Sequence, residues 1–174
     1  VAMGYIHMLP VFAKDVLHVD ARGLGILTAA AGAGALAGLL SFAWVQARIS
    51  PRNVMVGALT AYNLSLIGLA FSDWYWLSFG MILLSGFCHA SFTTCVQVIL
   101  QTLVEDRYRG RVMSVFTLVW SLTFFSGFLL NTAGALVGPQ LALAGGAAIV
   151  LAYVWLSLVR ATALRKLVLA PKAG

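Results

Sequence analysis

Charged residues are scarce in this sequence. They make up only 9% of its 174 residues, whereas 61% are apolar; ordinary soluble domains are about 25% charged. This composition argues against a water-soluble globule. A mean hydropathy of +0.97 also argues against intrinsic disorder, because disordered chains lack apolar surface to bury. We therefore expect a membrane protein.

The groups that enzymes and metal sites use are scarce too. The chain has five acidic residues, three histidines and two cysteines. None of the nucleophile-elbow, H-E-x-x-H or Cys/His metal-ligand spacings occurs. Cys88 and Cys95 would lie about 10 Å apart on one helix, too far for a disulfide. The sequence predicts no enzyme, no cofactor and no metal site.

Long uncharged runs have the length of membrane-spanning helices, and their continuous apolar character favours helices over barrel strands. The last run holds two spans, because Gly138-Pro139 interrupts it. The first run is about half the length of a span and the chain begins with valine, so we expect a truncated first helix and a longer parent protein. The sequence predicts an all-α, polytopic transmembrane bundle of about six helices over residues 1–159, followed by a basic tail over 160–174. The uncharged runs comprise residues 1–13, 23–47, 53–72, 74–104 and 112–159.

Basic residues alternate between the two sides of the predicted bundle. Nine of the eleven lie in every second loop or in the tail, whereas Lys14 and Arg22 share the other loops with Asp15, Asp20 and Asp73. Because basic loops are retained in the cytoplasm, we expect a cytoplasmic C-terminus, with the lipid bilayer as the main partner. This topology explains the net charge of +6, and no nucleic-acid partner is predicted. The nine residues are Arg48, Arg52, Arg107, Arg109, Arg111, Arg160, Arg165, Lys166 and Lys172.

Small residues recur at helical spacing in two runs. Ala30, Gly34 and Gly38 are spaced by four, and so are Gly134 and Gly138. This spacing places them on one helix face, where a neighbouring backbone can approach closely. We predict tight helix packing at both places, and a sliding interface for conformational change is the alternative.

Uncharged polar residues mark the interior of several spans. His89, Thr93 and Gln97 are spaced by four and are expected to form a polar stripe on one helix face. Such a stripe either hydrogen-bonds to neighbouring helices or lines a cavity, and Asn63 presents the same choice. The candidate cavity residues are Tyr5, His7, His89, Thr93, Gln97 and Asn131.

Three segments carry a family resemblance. The most specific is E-D-R-Y-R-G-R-V-M-S at residues 105–114, supported by L-P-V-F at 9–12 and G-L-G at 23–25. With these motifs the whole chain resembles the C-terminal half, spans seven to twelve, of a major facilitator superfamily transporter, in the branch of enterobactin exporters and drug-efflux proteins. One departure is Ala47, at a position where the family usually has an aspartate beside the arginine.

The resemblance implies half of a two-bundle fold, with the N-terminal half as its partner and a midplane cavity lined by spans seven and ten. It implies secondary active export of small amphipathic molecules, such as drugs or siderophores, by proton antiport across a bacterial inner membrane. No carboxylate lies inside a span, so a proton-coupling carboxylate would lie in the N-terminal half. An importer of the same fold and a non-transporting scaffold or inactive remnant are the alternatives. The candidate gating residues, all in predicted cytoplasmic loops, are Arg48, Arg52, Glu105, Asp106, Arg107, Arg109 and Arg111.

Overall fold

The computed structural model describes residues 9–12, 19–46, 48–72 and 74–168 of the chain. Within these ranges the regular secondary structure is helical, and no strand occurs. Five helices in the described part of the chain are long and apolar enough to cross a membrane, which confirms the predicted all-α membrane fold. The last helix extends beyond the predicted start of the tail at residue 160. These five helices are α1 (Ala21–Gln46), α2 (Pro51–Ala70), α3 (Tyr75–Leu103), α4 (Asp106–Val137) and α5 (Pro139–Val168).

Proline and glycine determine two of the helix boundaries. Pro51 begins α2 directly after Ser50, where its missing N–H removes no bond within the helix. Gly138 separates α4 from α5 with φ of 92°, a left-handed conformation that glycine adopts without a steric penalty. Its N–H donates to the Gly134 carbonyl oxygen at 3.0 Å. An added Cβ at Gly138 would meet nothing within 4 Å, so in this structure Gly138 serves the turn and not the close packing that its spacing predicted.

Helix α3 is the central element of the bundle. It packs against both α1 and α2, which hardly touch each other, while α5 packs against α2 and α4. Short connections make successive helices antiparallel, so the turns before α2 and before α4 lie at the same end. We call this the basic end, because it carries Arg48, Arg52, Arg107, Arg109 and Arg111.

Glycines bring α1 and α3 close together. An added Cβ at Gly34 would lie well inside 3.0 Å of the Leu83 carbonyl oxygen. A Cβ at Gly38 or at Gly86 would likewise collide with the backbone of the opposite helix. Ala30, in the same series on α1, is buried. The small residues therefore determine the distance between the two helices.

The buried residues form two clusters. The larger one joins all five helices, with Leu130 as the contribution of α4, and it includes the fully buried Tyr62 and Ile82. The smaller one consists of Phe42, Val54 and Cys95 near the basic end. Many large apolar side chains, above all on α4, are exposed instead. This distribution is expected of helices whose outer surface faces lipid or other membrane helices.

Candidate functional site

A groove of about 340 Å³ lies between α1 and α3, and Thr93 and Gln97 are among its lining residues. We call it the α1–α3 groove. Helix α1 supplies an apolar wall that includes Leu36 and Leu39. The Thr93 hydroxyl donates to the His89 carbonyl oxygen of its own helix, whereas Gln97 is exposed. The groove thus sets a side-chain amide against apolar surface, a combination that suits an amphipathic ligand.

His89 lies away from this groove. Its ring centroid is 5.6 Å from that of Tyr62 on α2 and 6.0 Å from that of Trp120 on α4. Four residues turn an α-helix by about 400°, so each step of four moves the side chain about 40° around the axis. His89 and Gln97 are two such steps apart, so their side chains point about 80° apart around the axis of α3 and contact different neighbours. The structure therefore divides the polar stripe that the spacing predicted.

The remaining polar candidates lie elsewhere in the molecule. Asn63 is buried in α2, and its Nδ2 donates to the Leu59 carbonyl oxygen at 2.8 Å. This bond fits the interpretation of Asn63 as a hydrogen-bonding residue of the helix bundle. Asn131 is half-buried on α4 and does not line the α1–α3 groove. Tyr5 and His7 lie outside the described residues.

A second groove, of about 370 Å³, lies between α1 and α2 with α3 as its floor. We call it the α1–α2 groove. Gly57, Ala58 and Ala61 form part of its wall on α2, and Leu84 and Phe87 belong to its floor. This groove was not predicted from the sequence. Gly57 and Ala61, small residues spaced by one helical turn on α2, are the feature of the sequence that could have indicated it.

The candidate gating residues lie together at the basic end. Arg109 Nη2 donates to the Gln101 carbonyl oxygen at 3.1 Å and forms an ion pair with Asp106 at 2.8 Å. It thereby joins the last turn of α3 to the first turn of α4, and the free carbonyl groups at a helix C-terminus attract a cation. The Arg48 guanidinium stacks 3.9 Å from the centre of the Trp44 ring. The other candidates at this end are exposed, namely Arg52, Glu105, Arg107 and Arg111.

Replacing Arg109 with alanine is expected to loosen the junction between α3 and α4. The substitution removes the hydrogen bond to Gln101 and the ion pair with Asp106. Because both contacts are exposed, the loss is about 1 kcal/mol, and amide hydrogen exchange in the last turn of α3 should accelerate by about fivefold. Arg111→Ala, at the same end, is the control. Equal exchange rates in the two variants would contradict this role of Arg109.

The described part of the chain offers no metal centre. It contains no group of three or more His, Cys, Asp or Glu side chains that could hold a metal ion. Cys88 and Cys95 are both free and buried. The Cys95 thiol donates to the Pro51 carbonyl oxygen at 3.3 Å, and Cys95 therefore contributes to the packing of α3 against α2.

Comparison with known proteins agrees with this architecture. The profile of the Major Facilitator Superfamily matches residues 1–173, almost the whole chain. No curated protein and no solved structure gave a significant match. Since five helices among the described residues have membrane-spanning length and composition and the family match extends over nearly every residue, this chain belongs to the major facilitator superfamily of membrane transporters.

Proposed function

We propose that the chain is the C-terminal half of a secondary active transporter that exports small amphipathic molecules by alternating access. The α1–α3 groove is the observation that supports this function best, because it sets Gln97 opposite the apolar side chains of Leu36 and Leu39. A ligand with a polar group and an apolar body fits such a lining. In transporters built from two bundles, the site between them is exposed to each side in turn, so the groove would face the other half.

The charges of the described spans support a weakly charged cargo, such as a drug or a siderophore. Asp20, Glu105 and Asp106 are the acidic residues in the described ranges, and they lie at or beyond the ends of the helices. A charged cargo in a low-dielectric cavity needs a partner of opposite charge, and these residues supply none within the membrane. We assign proton coupling to a carboxylate of the N-terminal half.

The distribution of basic residues supports a cytoplasmic basic end and a cytoplasmic C-terminus, in a bacterial inner membrane. Nine of the eleven basic residues belong to the sequence segments predicted for this side, as the positive-inside rule requires. Arg109 would then hold α3 and α4 together on the cytoplasmic side. The two helices would move as one unit when the halves of the transporter rock against each other.

Gln97→Ala in the intact transporter is expected to slow the efflux of an amphipathic fluorescent dye by roughly two- to tenfold, which is the effect of losing one hydrogen bond to the cargo. Efflux is measured from proteoliposomes under an imposed proton gradient. Gln101→Ala, one turn further along α3 and also exposed, is the matched control and should transport like the wild type.

Three outcomes of this assay would argue against the proposal. Unchanged efflux and an unchanged substrate range in Gln97→Ala would contradict the role of the α1–α3 groove. Dye uptake in place of efflux would favour an importer. Absence of transport by the folded wild-type protein would favour a non-transporting scaffold or an inactive remnant.

A further inference from the structure

We infer that the α1–α2 groove binds one acyl chain of an anionic phospholipid, whose phosphate group contacts Arg48 and Arg52 at the basic end. The occupant is a lipid of the surrounding leaflet and not the transported cargo. The inference is independent of the proposed export function. It requires only that the helices cross a bilayer.

The lining of the groove suits a hydrocarbon chain. Its residues are apolar except for Asn53 and Ser91, and the Ser91 hydroxyl donates to the Phe87 carbonyl oxygen at 2.9 Å. On α2 the lining extends from Asn53 to Ala61, which is about 12 Å of helix. One leaflet of the hydrocarbon core is about 15 Å thick. The groove therefore follows most of one leaflet from the basic end towards the midplane.

The mouth of the groove has the chemistry of a phosphate site. Asn53 lines it; Arg48 is exposed in the adjoining turn after α1, and Arg52 is exposed in the first turn of α2. Neither arginine forms an ion pair with a carboxylate of the described residues, and residues 21–72 contain no acidic residue. An anionic headgroup at the membrane surface supplies the missing counter-charge.

Trp44 indicates that this mouth lies at the membrane interface. Its side chain is 67% exposed, and the Arg48 guanidinium lies 3.9 Å from the centre of its ring. Tryptophan is enriched where the hydrocarbon core meets the headgroups.

A free phosphate has no chain to fill the groove, and a zwitterionic phospholipid has no net charge to balance two arginines. Together the groove and its mouth select an anionic phospholipid.

The test uses the full chain in phosphatidylcholine vesicles that contain phosphatidylglycerol with a photoreactive diazirine on its acyl chain. We expect cross-links at residues 57–61 of α2 and 84–91 of α3. The same diazirine on phosphatidylcholine should label these segments several-fold less, since each arginine near an anionic membrane surface contributes a preference of about fivefold.

Two variants separate the contributions of the headgroup and of the chain. The double variant Arg48→Gln/Arg52→Gln should lose the preference for phosphatidylglycerol. Gly57→Phe should lose the cross-links themselves, because an added Cβ there meets nothing within 4 Å and the phenyl ring would extend into the groove.

Arg111→Gln and Gly145→Phe are the matched controls. Arg111 lies at the basic end on α4, and a Cβ at Gly145 also meets nothing within 4 Å. Both variants should keep the cross-linking pattern, and circular dichroism checks that every variant is folded. Equal labelling by the two lipids would show ordinary surrounding lipid and overturn the inference. The inference would also be overturned if the preference for phosphatidylglycerol persisted in Arg48→Gln/Arg52→Gln, or if the cross-links persisted in Gly57→Phe. It would be overturned, too, if inorganic phosphate reduced the cross-linking as much as unlabelled phosphatidylglycerol did.

Discussion

Gly34→Ala is expected to destabilise the folded bundle by about 1–3 kcal/mol, which is the usual cost of forcing an extra methyl group into a close-packed contact. The added Cβ would lie well inside 3.0 Å of the Leu83 carbonyl oxygen. This obstacle is backbone, which cannot rotate away as the end of a flexible side chain can. Helices α1 and α3 must therefore separate. Because α3 also packs against α2, the disturbance would spread through the bundle.

Gly32→Ala is the matched control on the same helix. An added Cβ at Gly32 meets nothing within 4 Å, and alanine favours a helix over glycine by about 1 kcal/mol. The control should therefore be at least as stable as the wild type. Thermal unfolding in one detergent, followed by circular dichroism, compares the two variants. Equal unfolding temperatures would contradict the close contact between α1 and α3.

His89→Ala is expected to lower the free energy of unfolding by about 2 kcal/mol, the order of cost of removing a packed side chain, and to loosen α4 more than the other helices. The histidine ring contacts Tyr62 on α2 and Trp120 on α4, so its removal leaves unfilled space among three helices. Helix α4 has little other contact with α3. Amide hydrogen exchange over Asp106–Val137 should therefore become faster.

His89→Phe separates the packing of this ring from its chemistry. A phenyl ring can keep the contacts with Tyr62 and Trp120, but it can neither titrate nor form hydrogen bonds. Stability and hydrogen exchange should therefore stay close to those of the wild type. Equally fast exchange in the alanine and phenylalanine variants would contradict a packing role. Loss of transport with normal exchange in His89→Phe would assign the histidine a chemical role instead.

The candidate site could be predicted only in part. Thr93 and Gln97 stand out in the sequence because, with His89, they are polar residues spaced by four within an apolar span. Their spacing defines a direction on α3, but the wall they face, with Leu36 and Leu39, belongs to another helix. His89 has the same spacing and yet meets aromatic rings of two other helices. The spacing of polar residues along one helix does not determine which neighbouring helix that face contacts.

The α1–α2 groove shows the same limit more clearly. Gly57, Ala58 and Ala61 are ordinary small residues of an apolar span, and their spacing alone favours close packing as much as an open space. The groove exists because α1 and α2 both pack on α3 and hardly touch each other. The residue pattern of α1 or of α2 does not show whether the two helices contact each other.

By itself the sequence determined the number and the approximate positions of the complete membrane helices. A segment inside a bilayer must satisfy its backbone hydrogen bonds internally, so the composition of about 20 successive residues is sufficient to identify it. Only the tertiary structure decided that α3 is central, that Gly34 meets backbone while Gly138 forms a turn, and that His89 and Gln97 have different neighbours. Apolar helices in a bilayer have no hydrophobic periodicity that marks their inner faces, and their arrangement depends on shape and close packing between distant segments.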